Sequence, residues 1–330
     1  MSDTPRIEPE QKNPVRLRQG RFLALVFSPV AVTVCAMRCF HALFLLLLGV
    51  SAICSAEERT EESFIPNYAV AGAYYSWGGD SDFEGAPGSF SNREFGVDGN
   101  VPVLMRGGFR LTAGARYRSN TLEFSGAPAP FGTRDLDLER LDLPINAWID
   151  LNRDWKLWAR LQPGWHSDFE TVNSDDFILS TLALLSYRWS ETTKIAFGAY
   201  HSRDLGEERL LPALGFIFEP SPQLSVALTF PRAEVVYAPT PDRLLSSRII
   251  LSGAGWNITD PAGGPSDVDL NYQAIRAGFG FDQRISGPVW FYVDGGLQFG
   301  QEIEIVGGLA PVTLDVDSSP YLTTGVKIRF

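Results

Sequence analysis

Two histidines followed directly by serines are the residues best suited to nucleophilic catalysis after residue 56. They are His166-Ser167 and His201-Ser202. A serine activated by imidazole needs its hydroxyl within hydrogen-bond reach of a ring nitrogen. Neighbouring residues of a β-strand point to opposite faces, so neither pair can act together within a regular strand. His166 could instead meet Asp168, which shares its face, or a serine on a neighbouring strand, and hydrolysis therefore stays an alternative.

Known catalytic and cofactor motifs give no further candidates. The chain after residue 56 contains no Gly-x-Ser-x-Gly, His-Glu-x-x-His, Walker-type or calcium-loop spacing. Asp80, Asp82 and Glu84, and the pair Asp175-Asp176, offer oxygen atoms that could hold calcium weakly. Acidic surface loops have the same composition, so we expect no metal, no cofactor and no catalytic residue.

Charged side chains that alternate with apolar ones are the second chemical feature. In 108–118 three arginines face away from an apolar row, and in 136–151 aspartate and asparagine do the same. We expect a wet inner face that carries Arg110, Arg116, Arg118, Asp142, Asn146, Asp150, Arg160, Trp290 and Tyr292. Fixed charges at close range discriminate between ions, so such a face could filter solutes. The competing interpretation is a network of ion pairs that fills a narrow barrel.

Strands must position these side chains, because alternating segments bounded by Gly, Pro, Asn and Asp recur along the chain. Helical periodicity is weak, and no stretch after residue 56 has about 20 consecutive apolar residues. The pattern predicts an all-β protein. The predicted strands are 68–77, 91–105, 108–118, 136–151, 155–169, 176–190, 193–203, 210–219, 223–230, 233–238, 243–256, 269–283, 288–302 and 319–330.

The predicted connections alternate between short and longer. Short ones lie at 105–108, 152–154, 191–193, 220–222, 239–242 and 286–288, and longer ones at 78–90, 119–135, 170–175, 204–209, 257–268 and 303–318. This alternation requires the chain to reverse near Phe230-Pro231-Arg232. A single-chain bacterial barrel has an even number of strands. We therefore expect 12–14 strands, with 224–238 as the least certain part.

The last strand carries a terminal motif. Leu322, Thr324, Val326, Ile328 and Phe330 share one face, and the chain ends on the aromatic residue. Together with Gly325, this pattern resembles the terminal strand of bacterial outer-membrane β-barrels, where Gly325, Ile328 and Phe330 would form the assembly signal. The resemblance implies a closed antiparallel up-and-down transmembrane β-barrel over 68–330. It also implies the barrel-assembly machinery and outer-membrane lipid as partners.

Aromatic residues near strand ends fit the interfacial girdles of such barrels. They are Trp155, Trp165, Phe169, Trp189, Tyr200, Trp256, Trp290 and Tyr292. The chain is similar to uncharacterised outer-membrane barrel families that carry a signal peptide. That similarity does not indicate a substrate.

The first 67 residues divide into three predicted segments. Residues 37–56 have the positive start, apolar run and small-residue exit of a signal peptide, which predicts export. Residues 1–36 are expected to be an over-extended N-terminus, and 57–67 a short periplasmic segment. A real extended leader and a permanent membrane anchor are the alternatives for the front end. All three cysteines lie before residue 57, so no disulfide or thiolate site is expected after it.

The net charge limits the kinds of partner that the protein can bind. The chain from residue 57 has 22 Lys/Arg and 36 Asp/Glu, a net charge of −14. This balance argues against nucleic acid, because such binders neutralise phosphates with Lys and Arg. It is compatible with acidic outer loops or with a cation-favouring lumen. The leading hypothesis is an outer-membrane barrel, either a narrow porin-like channel for small solutes or a structural barrel. An outer-membrane barrel lipid hydrolase and a secreted soluble β-protein are the alternatives.

Overall fold

The computed structural model describes residues 63–66, 69–170, 173–203 and 208–330. The predicted segments 1–36 and 37–56, and most of 57–67, lie outside the described residues. The described chain forms sixteen β-strands and one short 3-10 helix, Ser174–Asp176. Within those same ranges, no helix is long and apolar enough to span a membrane.

The strands follow one another as hairpins. They are β1 Ala69–Asp82, β2 Ser89–Arg106, β3 Phe109–Ala127, β4 Gly132–Asp142, β5 Ile145–Asp150, β6 Trp155–Ser167, β7 Phe177–Arg188, β8 Thr193–Ser202, β9 Arg209–Ser221, β10 Leu224–Thr229, β11 Arg232–Thr240, β12 Arg243–Ile258, β13 Val268–Ser286, β14 Val289–Val306, β15 Val312–Val316 and β16 Ser319–Arg329.

The sheet closes on itself. Each strand pairs antiparallel with its neighbours, and β1 pairs with β16, with Ala73 opposite Val326. β4 and β5 share one position between β3 and β6, and β15 and β16 both pair along β14. The ring therefore has fourteen strand positions. This confirms the closed antiparallel up-and-down barrel and the upper end of the predicted range.

The reversal predicted near residues 230–232 is confirmed. β10 and β11 pair antiparallel across it, with Leu228 opposite Ala233. Without this turn the number of positions would be odd, and the two chain ends could not meet in one antiparallel pair. The turn therefore lets β16 close against β1.

Two predicted long loops are wrong. β3 continues to Ala127 and β4 starts at Gly132, so most of 119–135 is a strand hairpin. β14 likewise continues to Val306, and β15 occupies part of 303–318. The short connections at the other end are 107–108, 151–154, 189–192, 222–223, 241–242 and 287–288. The barrel therefore extends much further on the long-loop side than the sequence pattern indicated.

The half of the barrel next to the short turns has an apolar outer surface. In β6, Trp155, Leu157, Ala159, Leu161 and Trp165 alternate with the inward-facing residues. Ten residues at about 3.3 Å each, tilted by about 40°, span about 25 Å along the barrel axis. We call this part the band region; it comprises residues 109–118 of β3, 155–165 of β6, 275–285 of β13 and 289–299 of β14, and the positions at the same height on the other strands.

The other half has the opposite polarity, and we call it the outer region. It comprises residues 119–127 of β3, 132–140 of β4, 253–258 of β12, 268–274 of β13 and 300–306 of β14. Here the inward side chains are apolar and form one buried cluster, the outer core. Its larger members are Phe83, Phe90, Leu122, Phe124, Phe131, Leu138, Trp256, Ile258, Leu270, Tyr272, Ile303 and Ile305. The core fills the barrel interior at this end.

The outer end is also narrowed by a contact across the ring. β6 and β12 form a parallel bridge between Ser167 and Asn257, although β7 to β11 lie between them along the sheet. Asp168 adds a link, since its carboxylate accepts a hydrogen bond of 2.8 Å from the Thr259 amide. We call this contact the seam.

The short-turn end is partly filled by the segment that precedes β1. Phe64 and Ile65 pack against Ala238, Leu244 and Trp290, which point into the barrel. The amide of Phe64 also donates to the Pro222 carbonyl at 3.0 Å. Residues 63–66 therefore occupy the interior near the short turns.

Candidate functional site in the barrel interior

A cavity of about 200 Å³ lies inside the band region. Its charged lining has four cations and two carboxylates: Arg232, Arg248, Arg276, Lys327, Glu94 and Asp294. These residues come from β2, β11, β12, β13, β14 and β16. The cavity is thus built by side chains from both sides of the β1–β16 closure and carries an excess of positive charge.

Arg248 forms the main ion-pair network of the cavity wall. Its Nε lies 3.2 Å from an Asp294 oxygen and its Nη2 3.5 Å from Glu234. The Tyr321 hydroxyl donates to the other Asp294 oxygen at 2.8 Å. A Cβ on Gly280 would lie only 2.9 Å from Arg248 Nη2 and 3.0 Å from Asp294 Oδ2. Glycine at this position therefore leaves the space that this pair occupies.

Glu94 is held by neutral donors. The Tyr74 hydroxyl donates to one carboxylate oxygen, and Asn120 Nδ2 donates to the other at 2.8 Å. The Tyr74 ring lies flat against Gly96, where a Cβ would come within 2.3 Å of the ring. This packing aims the hydroxyl at Glu94.

Arg276 and Lys327 make contacts of a different kind. Arg276 donates to Gln298 Oε1 at 3.2 Å and to Ser76 Oγ at 3.3 Å, and its guanidinium lies 5.2 Å from the Tyr321 ring centroid. The Lys327 ammonium lies 3.4 Å from the Tyr292 ring centroid. Both cations are thus held by neutral groups and by aromatic faces.

Trp290 and Tyr292, two of the predicted inner-face residues, both point into the barrel. Trp290 is fully buried, with the guanidinium groups of Arg284 and Arg329 at 5.0 and 6.0 Å from its ring centroid. Arg329 also pairs with Asp282 at 2.8 Å. These two aromatics belong to the interior near the short turns, not to an outer girdle.

The structure brings four more of the predicted residues into one ladder on β3, β5 and β6. Asn146 Oδ1 accepts from Arg160 Nε at 2.7 Å and from Trp158 Nε1 at 3.3 Å. Asp150 pairs with Lys156 at 3.1 Å and lies 3.8 Å from Arg110. Sequence reasoning missed Trp158 and Lys156, although both share the face of Arg160.

The remaining predicted residues lie on the inner face closer to the outer region. They are Arg116, Arg118 and Asp142. Arg116 stands in register with Asp98 of β2 and with Asp142 of β4, and Arg118 with Gly96 and Arg140. Asp142 is fully buried at the seam and sits 2.9 Å from His166 Nε2. Opposite charges thus alternate across β2, β3 and β4 at the level of Arg116, whereas Arg118 stands opposite the like-charged Arg140.

The sequence allowed a contact between His166 and Asp168. The structure instead places His166 in the seam. Its Nε2 faces the Asp142 carboxylate, and its Nδ1 lies 3.3 Å from the Gly255 carbonyl of β12. Arg140, also fully buried, reaches the Gly253 carbonyl at 3.5 Å. Since both ring nitrogens face acceptors, neither is free to deprotonate a serine. The seam was not predicted, because its partners lie about 90 residues apart.

His201 is similarly engaged, on the outside of the barrel. Its Nδ1 lies 3.4 Å from the Leu179 carbonyl and its Nε2 3.3 Å from Glu208. Another aromatic prediction is wrong: Trp256, expected in a girdle, is only 1% exposed and belongs to the outer core.

The acidic residues considered for calcium do not converge. Among the residues that the structure describes, no group of three or more His, Cys, Asp or Glu side chains could hold a metal ion. Asp175 and Asp176 instead belong to the 3-10 helix, where Asp176 accepts from the Asn173 amide at 2.9 Å.

A model of a protein family, described as a domain of unknown function (DUF6268), matches residues 136–307, just over half of the chain. The chain belongs to the DUF6268 family. The match runs from β4 to the end of β14 and therefore covers the seam and most of the outer core. It agrees with the predicted resemblance to barrel families of unknown function. No curated protein matches the sequence.

Several solved structures resemble this DUF6268 member. An outer membrane channel from Pseudomonas putida F1 has a TM-score of 0.41 and 10% identity, over 83% of this chain and 100% of its own. The translocator domain of the autotransporter NalP from Neisseria meningitidis gives 0.36 and 11%, over 80% and 89%. The NanC porin gives 0.34 and 11%, over 79% and 100%.

Proposed function

We propose that this protein is a bacterial outer-membrane β-barrel that acts as a narrow porin-like channel for small solutes. The observation that carries the proposal is the polarity of the band region. Phe279, Leu297 and Leu322 point outward, with 68%, 56% and 49% of their surface exposed. Arg248, Asp294 and Glu94 point inward. Exposing apolar groups to water while burying charges would be costly, but lipid outside and water inside make this arrangement favourable.

Aromatic side chains at both edges of the band support a membrane position. Trp155, Tyr187 and Trp189 cluster beside the short turns, with ring centroids 4.7 and 6.4 Å apart. At the other edge, the rings of Trp165 and Phe177 are 5.5 Å apart. Amphipathic rings at these two heights suit the interfaces of a bilayer.

The terminal strand supports assembly as an outer-membrane barrel. Val326 and Ile328 face outward on β16, and β16 completes the ring beside β1. Gly325 has a packing role as well, since a Cβ there would lie 2.8 Å from the Tyr292 ring. We propose that Gly325, Ile328 and Phe330 act as the assembly signal, and that the nine predicted inner-face residues face the lumen.

A structural barrel without an open pore is the second candidate. Two observations favour it: the outer core fills one end of the interior, and Phe64 and Ile65 occupy the other. A channel would have to open past the outer core or beside the shorter strands β7 to β11. A hydrolase is not favoured, because the ring nitrogens of His166 and His201 already face other acceptors.

The test combines heat-modifiability with conductance. The full chain is expressed in a Gram-negative host, extracted from the outer membrane in detergent, and compared on gels with and without boiling. A mobility shift followed by discrete conductance steps in planar bilayers is the result expected for a channel. A shift without conductance would establish the structural barrel. Recovery as a soluble periplasmic protein without a shift would overturn both.

A further inference from the structure

We propose that the cavity in the band region binds small oxyanions, with Arg276 and Lys327 as the binding cations. The inference deepens the proposed channel function and names its solute class. It rests on the contacts of the charged groups that line the cavity.

Protein groups already bind both carboxylates that line the cavity. Glu94 accepts from Tyr74 and Asn120, and Asp294 accepts from Tyr321 and pairs with Arg248. Each carboxylate is thus engaged through both of its oxygens, although about two of its roughly four lone-pair sites stay open. The two carboxylates of the wall are therefore held by protein groups and are outnumbered by its four cations.

The cations of the wall keep donors to spare. Arg276 uses Nε and one N–H of Nη1 for Gln298 and Ser76, which leaves the second N–H of Nη1 and the two of Nη2. Lys327 has three donors, and its contact with Tyr292 is through the ring face. Among the described residues, neither of these two cations forms an ion pair with a carboxylate. Two cations without a direct ion pair thus line the same cavity.

Further cations lie near Lys327. Arg232 and Arg248 line the same cavity, and Arg329 lies two residues further along β16 on the same face. The lining also carries Ser76 and Thr323, whose hydroxyls hydrogen-bond each other at 2.8 Å and leave one hydroxyl hydrogen for a ligand oxygen. An oxyanion would gain charge-assisted hydrogen bonds from the cations and a neutral one from this hydroxyl.

The cavity volume of about 200 Å³ limits the ligand to a small molecule. Carboxylate and phosphate groups share the required chemistry, so the probes are acetate, gluconate and inorganic phosphate. This solute class is opposite to the one suggested by the net charge of −14. The explanation is the placement of the acidic residues, several of which lie on the outer surface of the outer region, such as Glu123, Glu302 and Asp315.

The test is isothermal titration of the full detergent-extracted barrel with each probe in phosphate-free buffer. Arg276→Gln and Lys327→Gln should each weaken binding at least tenfold. Lys194→Gln is the matched control, because Lys194 points inward but pairs with Glu219 at 2.8 Å and does not line the cavity. The control should stay within twofold of the native affinity. Heat-modifiability of every variant shows that each barrel is folded.

The outcomes separate the site from the channel. Binding of acetate and gluconate but not phosphate would identify organic carboxylates as the ligands, and the reverse would identify phosphates. Binding without bilayer conductance would keep the site and overturn the channel. Conductance that favours cations and is unchanged in both variants would overturn the site and keep the channel. Failure of the native barrel to bind any probe, or equal binding by all variants, would also overturn the site.

Discussion

In the band region β3 turns Leu111 and Ala113 outward, whereas in the outer region the same strand turns Leu122 and Phe124 inward. Its polar residues make the opposite change, from Arg116 inside to Glu123 outside. One continuous sheet thus has two opposite polarities. In the proposed membrane position, lipid outside requires a polar interior, and water outside requires an apolar one.

The strands change polarity in two ways. β3 and β13 stay regular, and their apolar residues move from odd to even positions at the boundary. β14 keeps its apolar residues at odd positions but contains a bulge at Gly300, where φ is +57°. The extra residue rotates the following strand, so that Ile303 and Ile305 point inward. Both arrangements place apolar side chains in the outer core.

The largest effect should come from removing a ring of the outer core. Phe124 is 2% exposed and stacks on Phe131 at 4.1 Å between ring centroids. Phe124→Ala should lower the free energy of unfolding by about 3–5 kcal/mol, because it leaves a cavity. Denaturant unfolding of the reconstituted barrel measures this loss. Phe281→Ala, in the band region, is the control and should cost less than half as much; equal losses would remove the distinction between the two regions.

The next effect tests the outward face of the band. Ile145 is 41% exposed and stands opposite Leu161 and Ala113. Ile145→Arg should cost about 2–4 kcal/mol near the bilayer midplane and block membrane assembly, since the charge would face lipid. The amount of heat-modifiable protein in the outer-membrane fraction is the measurement. Arg160→Leu should assemble normally, and the reverse result would invert the facing of the band.

A smaller effect is expected at the bulge. No atom lies closer than 4.0 Å to a Cβ built on Gly300, so only its positive φ opposes substitution. Gly300→Ala should therefore cost roughly 1–2 kcal/mol in unfolding experiments. Gly99→Ala is the control, because Gly99 also has open space but lacks a positive φ. If both variants lose the same stability, backbone strain at the bulge is not what makes β14 change face.

The smallest effect concerns charge on the outer region. Burial, followed by Asp315 directly opposite and by Glu304, raises the pKa of Glu302. The folded protein thus holds this proton more tightly than the unfolded chain. The stability that this group contributes is complete below its ordinary pKa and is lost as pH rises through the raised value.

Asp315→Asn should therefore stabilise the barrel by about 0.5 kcal/mol at pH 8, because it removes a like charge opposite Glu302. The gain should vanish near pH 4. The measurement is the unfolding midpoint at each of the two pH values. Asp80→Asn is the control, because Asp80 is exposed. A gain that is the same at both pH values would show that Glu302 is not the group responsible.

Much of the band region could be predicted from the sequence. The fourteen strand positions, the short turns and the reversal near Pro231 follow from alternation and turn residues, which are local properties. The outer half of β3 was missed for a local reason as well. Its apolar residues change from odd to even positions after Tyr117, so one alternating pattern ends there although the strand continues to Ala127.

The amino-acid sequence by itself determined the alternation of side chains, the turns and the terminal motif, because each depends on residues close together in the chain. Only the tertiary structure decided that Trp256 lies in the outer core, that His166 meets Asp142 and Gly255, and that Arg276 and Lys327 face one cavity. These contacts join residues far apart in sequence. Alternation in the sequence shows that a strand has two faces. Closure of the ring decides which face points outward and which points into the barrel or at the opposite wall.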